Sequence, residues 1–101
     1  MSRFFRLKMQ KFLVTMSCTE TGNFILQIAN LKIFFCCTTL NHEGGFKFRI
    51  IDFGRKEKDG QWYRILLNND QYIYEGKSGV VKACTKFWIF IPDDSEVFRH
   101  Y

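Results

Sequence analysis

The chain has 101 residues, 47% of them hydrophobic, with a formal net charge of +5. That hydrophobic share excludes a disordered chain, and the length fits a single domain spanning residues 1–101. No stretch approaches the ~20 consecutive apolar residues that cross a bilayer as a helix, so no membrane partner is expected.

Eighteen side chains are aromatic, 12 of them Phe. A core of this size buries about 60–70% of the unfolded surface, and each ring brings roughly 150–250 Å². Some rings are therefore expected to line a groove or an interface. Charge is unevenly spread: residues 1–58 hold ten basic and four acidic side chains, residues 59–101 five and six. The first half is thus the better candidate for meeting an anionic partner.

Residues 1–11 form a basic N-terminal segment with Arg3, Arg6, Lys8 and Lys11. Its apolar follow-on, Phe12-Leu13-Val14, is too short for a secretory core. From Arg3 to Thr19, β-branched and aromatic residues predict one long strand or two short ones. Thr21-Gly22-Asn23 predicts a turn. The apolar run from Phe24 to Thr39 breaks at Asn30-Leu31-Lys32, and Ile33 to Cys37 reads as a buried strand. Asn41 to Gly45 is a turn, Phe46 to Phe53 a strand, and Gly54 to Gly60 a charged hairpin loop. Gln61 to Leu67 is a further strand, Asn68-Asn69-Asp70 a turn, and Gln71 to Glu75 a short strand. Gly76 to Gly79 turns the chain into the longest strand, Val80 to Ile91, which Pro92 stops. Residues 92–101 are left as a C-terminal tail. The fold class is all-β: one small antiparallel barrel or sandwich of about six to seven strands, with an OB-like barrel among the options.

Alternation along three of these strands defines a candidate contact surface. Phe46, Phe48 and Ile50 share one face, Lys47 and Arg49 the other. Tyr63, Ile65 and Leu67 oppose Trp62 and Arg64. Val81, Ala83, Phe87, Ile89 and Ile91 oppose Lys82, Cys84, Lys86, Trp88 and Phe90. If these strands are neighbours, Lys47, Arg49, Trp62, Arg64, Lys82, Lys86 and Trp88 form a cationic surface carrying two indoles.

Other short patterns lack the context their chemistry needs. Gly76-Lys77-Ser78 has Gln71 where a phosphate loop requires Gly, and a strand follows instead of a helix. Asp52-Phe53-Gly54 spells a kinase triplet without its companions. Gly45 to Ile50 resembles the aromatic strand of an RNA-recognition motif, but two helices are missing. Met16-Ser17-Cys18-Thr19-Glu20 is similar to a pocket-protein docking peptide, yet it reads as part of a sheet. His42 and His100 have no catalytic spacing, and Asp93, Asp94 and Glu96 read as solubilising charges. No enzyme activity, catalytic residue, cofactor or metal is expected.

Cys18, Cys36, Cys37 and Cys84 contain no C-x-x-C pair, and adjacent Cys36 and Cys37 must point to opposite faces of a strand. They are expected to be reduced and largely buried, in a cytoplasmic or nuclear setting, with a disulfide from Cys18 to Cys84, Cys36 or Cys37 as the alternative. The leading functional expectation is a small non-enzymatic inhibitor or accessory factor, of a kind common in viruses and phages. It would bind a protein partner, or itself, through exposed aromatic and basic β-surface. The alternative is an OB-like binder of single-stranded DNA or RNA; a ligand-carrying barrel ranks third.

Overall fold

The computed structural model describes residues 8–42, 45–75 and 86–100. Seven strands account for most of them: β1 (Met9–Cys18), β2 (Phe24–Ile28), β3 (Ile33–His42), β4 (Gly45–Lys56), β5 (Trp62–Ile65), β6 (Tyr72–Glu75) and β7 (Lys86–Pro92). One 3₁₀ turn, Ala29–Leu31, links β2 to β3, and another, Glu96–His100, follows β7. Every pairing is antiparallel. The order β3-β2-β1-β7-β6-β4 closes through a β3–β4 pairing, so six strands form a barrel and β5 is added to β4. The barrel strands follow one another around the wall in chain order. This is an up-and-down arrangement, distinct from the Greek key of the five-stranded OB fold.

Alternation builds the interior. Val14 and Met16 of β1, Leu26 and Ile28 of β2, Ile33, Phe35 and Cys37 of β3, and Phe48, Ile50 and Phe53 of β4 are buried. Ile73 of β6 and Ile89 and Ile91 of β7 complete the wall's inner face. Phe35 stacks on Phe53 with centroids 5.2 Å apart. Six strands enclose less space than the eight that hold a small ligand, and these side chains fill it.

The phase of β4 changes once, and much depends on it. Cys36 pairs with Asp52 but Cys37 pairs with Ile50, so Ile51 is an extra residue in the ladder. Such a bulge moves every later side chain to the other face. Phe48 and Ile50 point inward before it; Phe53 points inward after it. Asp52, Gly54 and Lys56 are thereby turned outward. The strand continues through Lys56, three residues beyond the end expected from sequence.

β5 also differs from expectation. It is four residues long, and Tyr63, assigned to the core face, is 47% exposed. The reason is topological: β5 pairs with the end of β4 that projects past β6, so it lies beside the barrel and not in its wall.

The basic N-terminal segment does not end outside the domain, since Met9, Gln10 and Lys11 are the first residues of β1 and pair with β7. The C-terminal tail is likewise part of the fold. Val97 is fully buried, and Phe98 packs 6.2 Å from Phe12. Glu96, expected to solubilise the terminus, is only 4% exposed. Its carboxylate accepts hydrogen bonds from the N–H groups of Asn68 (2.6 Å) and Asn69 (3.2 Å) and from the Gln71 side chain (3.3 Å). Gln71 Oε1 in turn accepts from Ser95 Oγ at 2.9 Å and the Glu96 N–H at 3.0 Å. The tail is thus clasped to the segment that leads into β6.

These bonds, the Asn68 N–H first, hold the Glu96 carboxyl below its ordinary value of 4.5; Arg99 and His100 act in the same direction. Folding therefore favours the charged form. Its contribution is complete above pH 4.5 and fades as acid titrates the group through its lower folded value. Glu96→Ala is expected to lower the urea midpoint at about pH 6 and to lower it much less at about pH 2.5. An equal deficit at both pH values would contradict the clasp.

Candidate nucleic-acid interface

One transverse row crosses six strands on the outer face. Lys86 pairs with Thr15, Thr15 with Gln27, Gln27 with Phe34, Phe34 with Gly54, and Gly54 with Arg64. Strands sit about 4.8 Å apart, so β7 and β5 are separated by roughly 24 Å of wall. Trp88 stands beside Lys86 at one end and Trp62 beside Arg64 at the other. Both indoles are 45% exposed.

Two hollows occupy the ground between them. The first, about 430 Å³, holds Lys11, Leu13, Thr15, Lys86 and Trp88. The second, about 200 Å³, holds Lys32, Ile33, Lys56 and Trp62. Gln27 and Ile28 line both, so the hollows adjoin. Among the described residues, four lysines and two indoles line this track, and no carboxylate does.

Each indole is held by its surroundings. Lys11 Nζ lies 4.5 Å over the Trp88 ring. Trp62 meets Phe34 edge-on, with centroids 5.1 Å apart and planes at 86°, and Lys56 Nζ lies 5.7 Å above it. Phe34 can lie there because residue 54 is glycine. A Cβ at that position would run into the Phe34 ring and come within 2.9 Å of the Tyr63 carbonyl oxygen. Gly54→Ala is expected to displace the ring and to shift the Trp62 emission. An unchanged spectrum would show that Phe34 does not set the indole.

The residues expected from sequence divide into groups. Lys86 and Trp88 share the first hollow, and Trp62 lies in the second. Arg64 ends the row but leans away from the track: its Nε is 2.9 Å from Asp52 Oδ1, an ion pair without hydrogen-bond alignment. Lys47 and Arg49 lie further round the wall. Lys47 Nζ sits 4.3 Å over Tyr72. Its row runs through Tyr74 and Phe90 to Lys11, so the cationic aromatic exterior continues from there to Trp88. Arg49, between Thr38 and Tyr72, has a buried Nε with no hydrogen-bond partner among the described residues. Lys82 lies outside the described residues, as does Cys84.

The strand alternation that picks out Trp62, Lys86 and Trp88 leaves out Lys11, Gln27, Lys32 and Lys56, which also line this surface. Lys11 was legible, since Phe12, Val14 and Met16 alternate with it. Lys32 was not: it follows a 3₁₀ turn with φ at +53°, which aims it independently of the strand pattern. Lys56 was hidden by the Ile51 bulge.

The cysteines are of three kinds. Cys37 is buried in the core, and that burial pushes its thiol well above the ordinary range. Cys36 points outward, half-buried; burial and then the neighbouring Asp52 raise its pKa. Cys18 is exposed, against the expectation of burial, because it ends β1. All three are free thiols. Among the described residues, no group of three His, Cys, Asp or Glu side chains could hold a metal ion. No helix among them is long and apolar enough to cross a membrane.

Fold and surface together describe a small closed antiparallel barrel with a cationic, indole-bearing exterior. Comparison with known proteins finds no matching family, no similar curated protein and no similar solved structure.

Proposed function

We propose that the protein is a non-enzymatic binder of single-stranded nucleic acid, which lies along the outer track between Trp88 and Trp62. The observation that carries this reading is the lining itself: two half-exposed indoles and four lysines, with no acid between them among the described residues. Indole faces stack on any base, and ammonium groups neutralise phosphates. A duplex, whose bases are already stacked, would use only the lysines.

The phenylalanines give less support to a protein partner. Phe35, Phe48 and Phe53 are buried, while Phe12, Phe24, Phe87 and Phe98 pack against the core. Most of the described phenylalanines therefore build the interior; the exposed rings are Trp62 and Trp88, each under a lysine, and Tyr63.

The test is a tryptophan-fluorescence titration with oligothymidylate or oligouridylate at two salt concentrations. Four phosphate contacts predict a slope near −3 in log K against log salt, or about 50-fold weaker binding between 50 and 200 mM. Unquenched emission at low salt would remove the reading. Equal affinity for polyglutamate would make the track a site for acidic polypeptide and remove base stacking.

A further inference from the structure

We infer that β5 pairs, antiparallel, with β5 of a second copy of this chain, in one register. The inference does not rest on nucleic-acid binding, although Trp62 takes part in both. Lys56 N–H donates to Lys32 O on the β3 side of β4, and Glu57 N–H donates to Gln61 O on the β5 side. Backbone groups of successive residues point to alternate sides, so Arg55 and Phe53 also face β5. Their partners Tyr63 and Ile65 direct their N–H and C=O groups back to β4. Those of Trp62 and Arg64 are aimed at the opposite edge. Among the described residues, β5 pairs with β4 alone.

Among the described residues that edge is a ladder without a second rail, and proteins commonly shield such edges from other chains. Here it is flanked by apolar surface: Tyr63 is 47% exposed, Leu66 77% and Ile51 41%.

Three conditions select the register. The hydrogen-bonding residues must be Trp62 and Arg64 in both copies. Residues directly opposite must share a face of the joined sheet. Like charges must not meet. Arg64 opposite Arg64 fails the third condition. Trp62 opposite Trp62 draws the ladder into the hairpin turn, where Gly60 has φ +81° and cannot continue a strand. Trp62 opposite Arg64 of the second copy meets all three. It places a guanidinium beside an indole, a favourable cation–π pairing. The Arg64 side chain is 67% exposed even with Nε against Asp52, which leaves its planar face available. Tyr63 then meets Tyr63 of the second copy on the two-fold axis. Four residues and their flanks bury less than the ~1,000 Å² of a lasting interface, so the pair is concentration-driven.

Tyr63→Cys tests the register, in a Cys18→Ser, Cys84→Ser background that removes the thiol exposed among the described residues and the one outside them. Residues meeting on the axis form a non-hydrogen-bonded pair with Cα atoms about 4.5 Å apart, within disulfide reach. Mild oxidation is expected to give a reducible covalent dimer from Tyr63→Cys and far less from Leu66→Cys, although Leu66 is the more exposed. An equimolar mixture of Trp62→Cys and Arg64→Cys should cross-link more than either alone. Equal yields across these variants would overturn the register. Sedimentation of the unaltered chain as a monomer up to its solubility limit would overturn the pairing.

Discussion

Replacing Trp62 or Trp88 by alanine is expected to weaken oligonucleotide binding by about 1–3 kcal/mol each, or roughly 5- to 150-fold. The two losses should add, because roughly 24 Å of wall separates the indoles and they share no contact. The salt slope should stay unchanged in both variants, since no phosphate contact is lost. Lys32→Ala or Lys86→Ala should do the opposite: a smaller loss of affinity and a slope reduced by about 0.7. Trp62→Ala also removes the edge contact with Phe34, so its urea midpoint must be checked beside that of Trp88→Ala. Should both indole variants bind as tightly as the native chain while the lysine variants do not, the track is a polyanion site and stacking has no part in it.

Phe53→Ala is expected to destabilise the fold by about 3–5 kcal/mol, the usual cost of removing a buried phenyl ring. Domains are typically stable by only about 5–15 kcal/mol, so this variant should approach unfolding at ambient temperature. The ring is 1% exposed and stacks on Phe35. Asp52→Ala should cost no more than about 1 kcal/mol, because it breaks only a surface ion pair with Arg64. The contrast reports on the bulge. In a regular strand continuing from Phe48 and Ile50, residue 52 would face the core and residue 53 solvent. Urea denaturation of the two variants therefore distinguishes the phases. A larger loss for Asp52→Ala than for Phe53→Ala would place the Ile51 bulge elsewhere.

Most of the barrel could be read from local pattern. Phe12, Val14 and Met16 alternate with Lys11, Leu13 and Thr15, and the structure sends the first set inward. The turns at Gly22 and Gly60 and the break at Asn30 fall where small or polar residues interrupt the apolar runs. Cys36 and Cys37 separate to opposite faces as neighbours in a strand must. The candidate surface was legible in part: Trp62, Lys86 and Trp88 reach the track, while Lys47 and Arg49 lie elsewhere on the wall.

What local pattern could not supply was anything that depends on strand neighbours. A bulge is a mismatch between two strands, so Ile51 carries no mark of it; only pairing with β3 reveals that residues 52–56 are turned over. Lys56 joins the track for that reason. Glu96 looks like one more terminal charge until Asn68, Asn69 and Gln71 are brought to it from 25 or more residues away. Sequence alone determined the pleated class, the approximate strand breaks and the side to which most residues point, because side-chain alternation is a property of a single extended chain. Tertiary structure decided closure into a barrel, the exclusion of β5 from its wall and the meeting of Trp88 and Trp62 on one track. Those features follow from hydrogen bonds between strands far apart in the chain, which no single strand encodes.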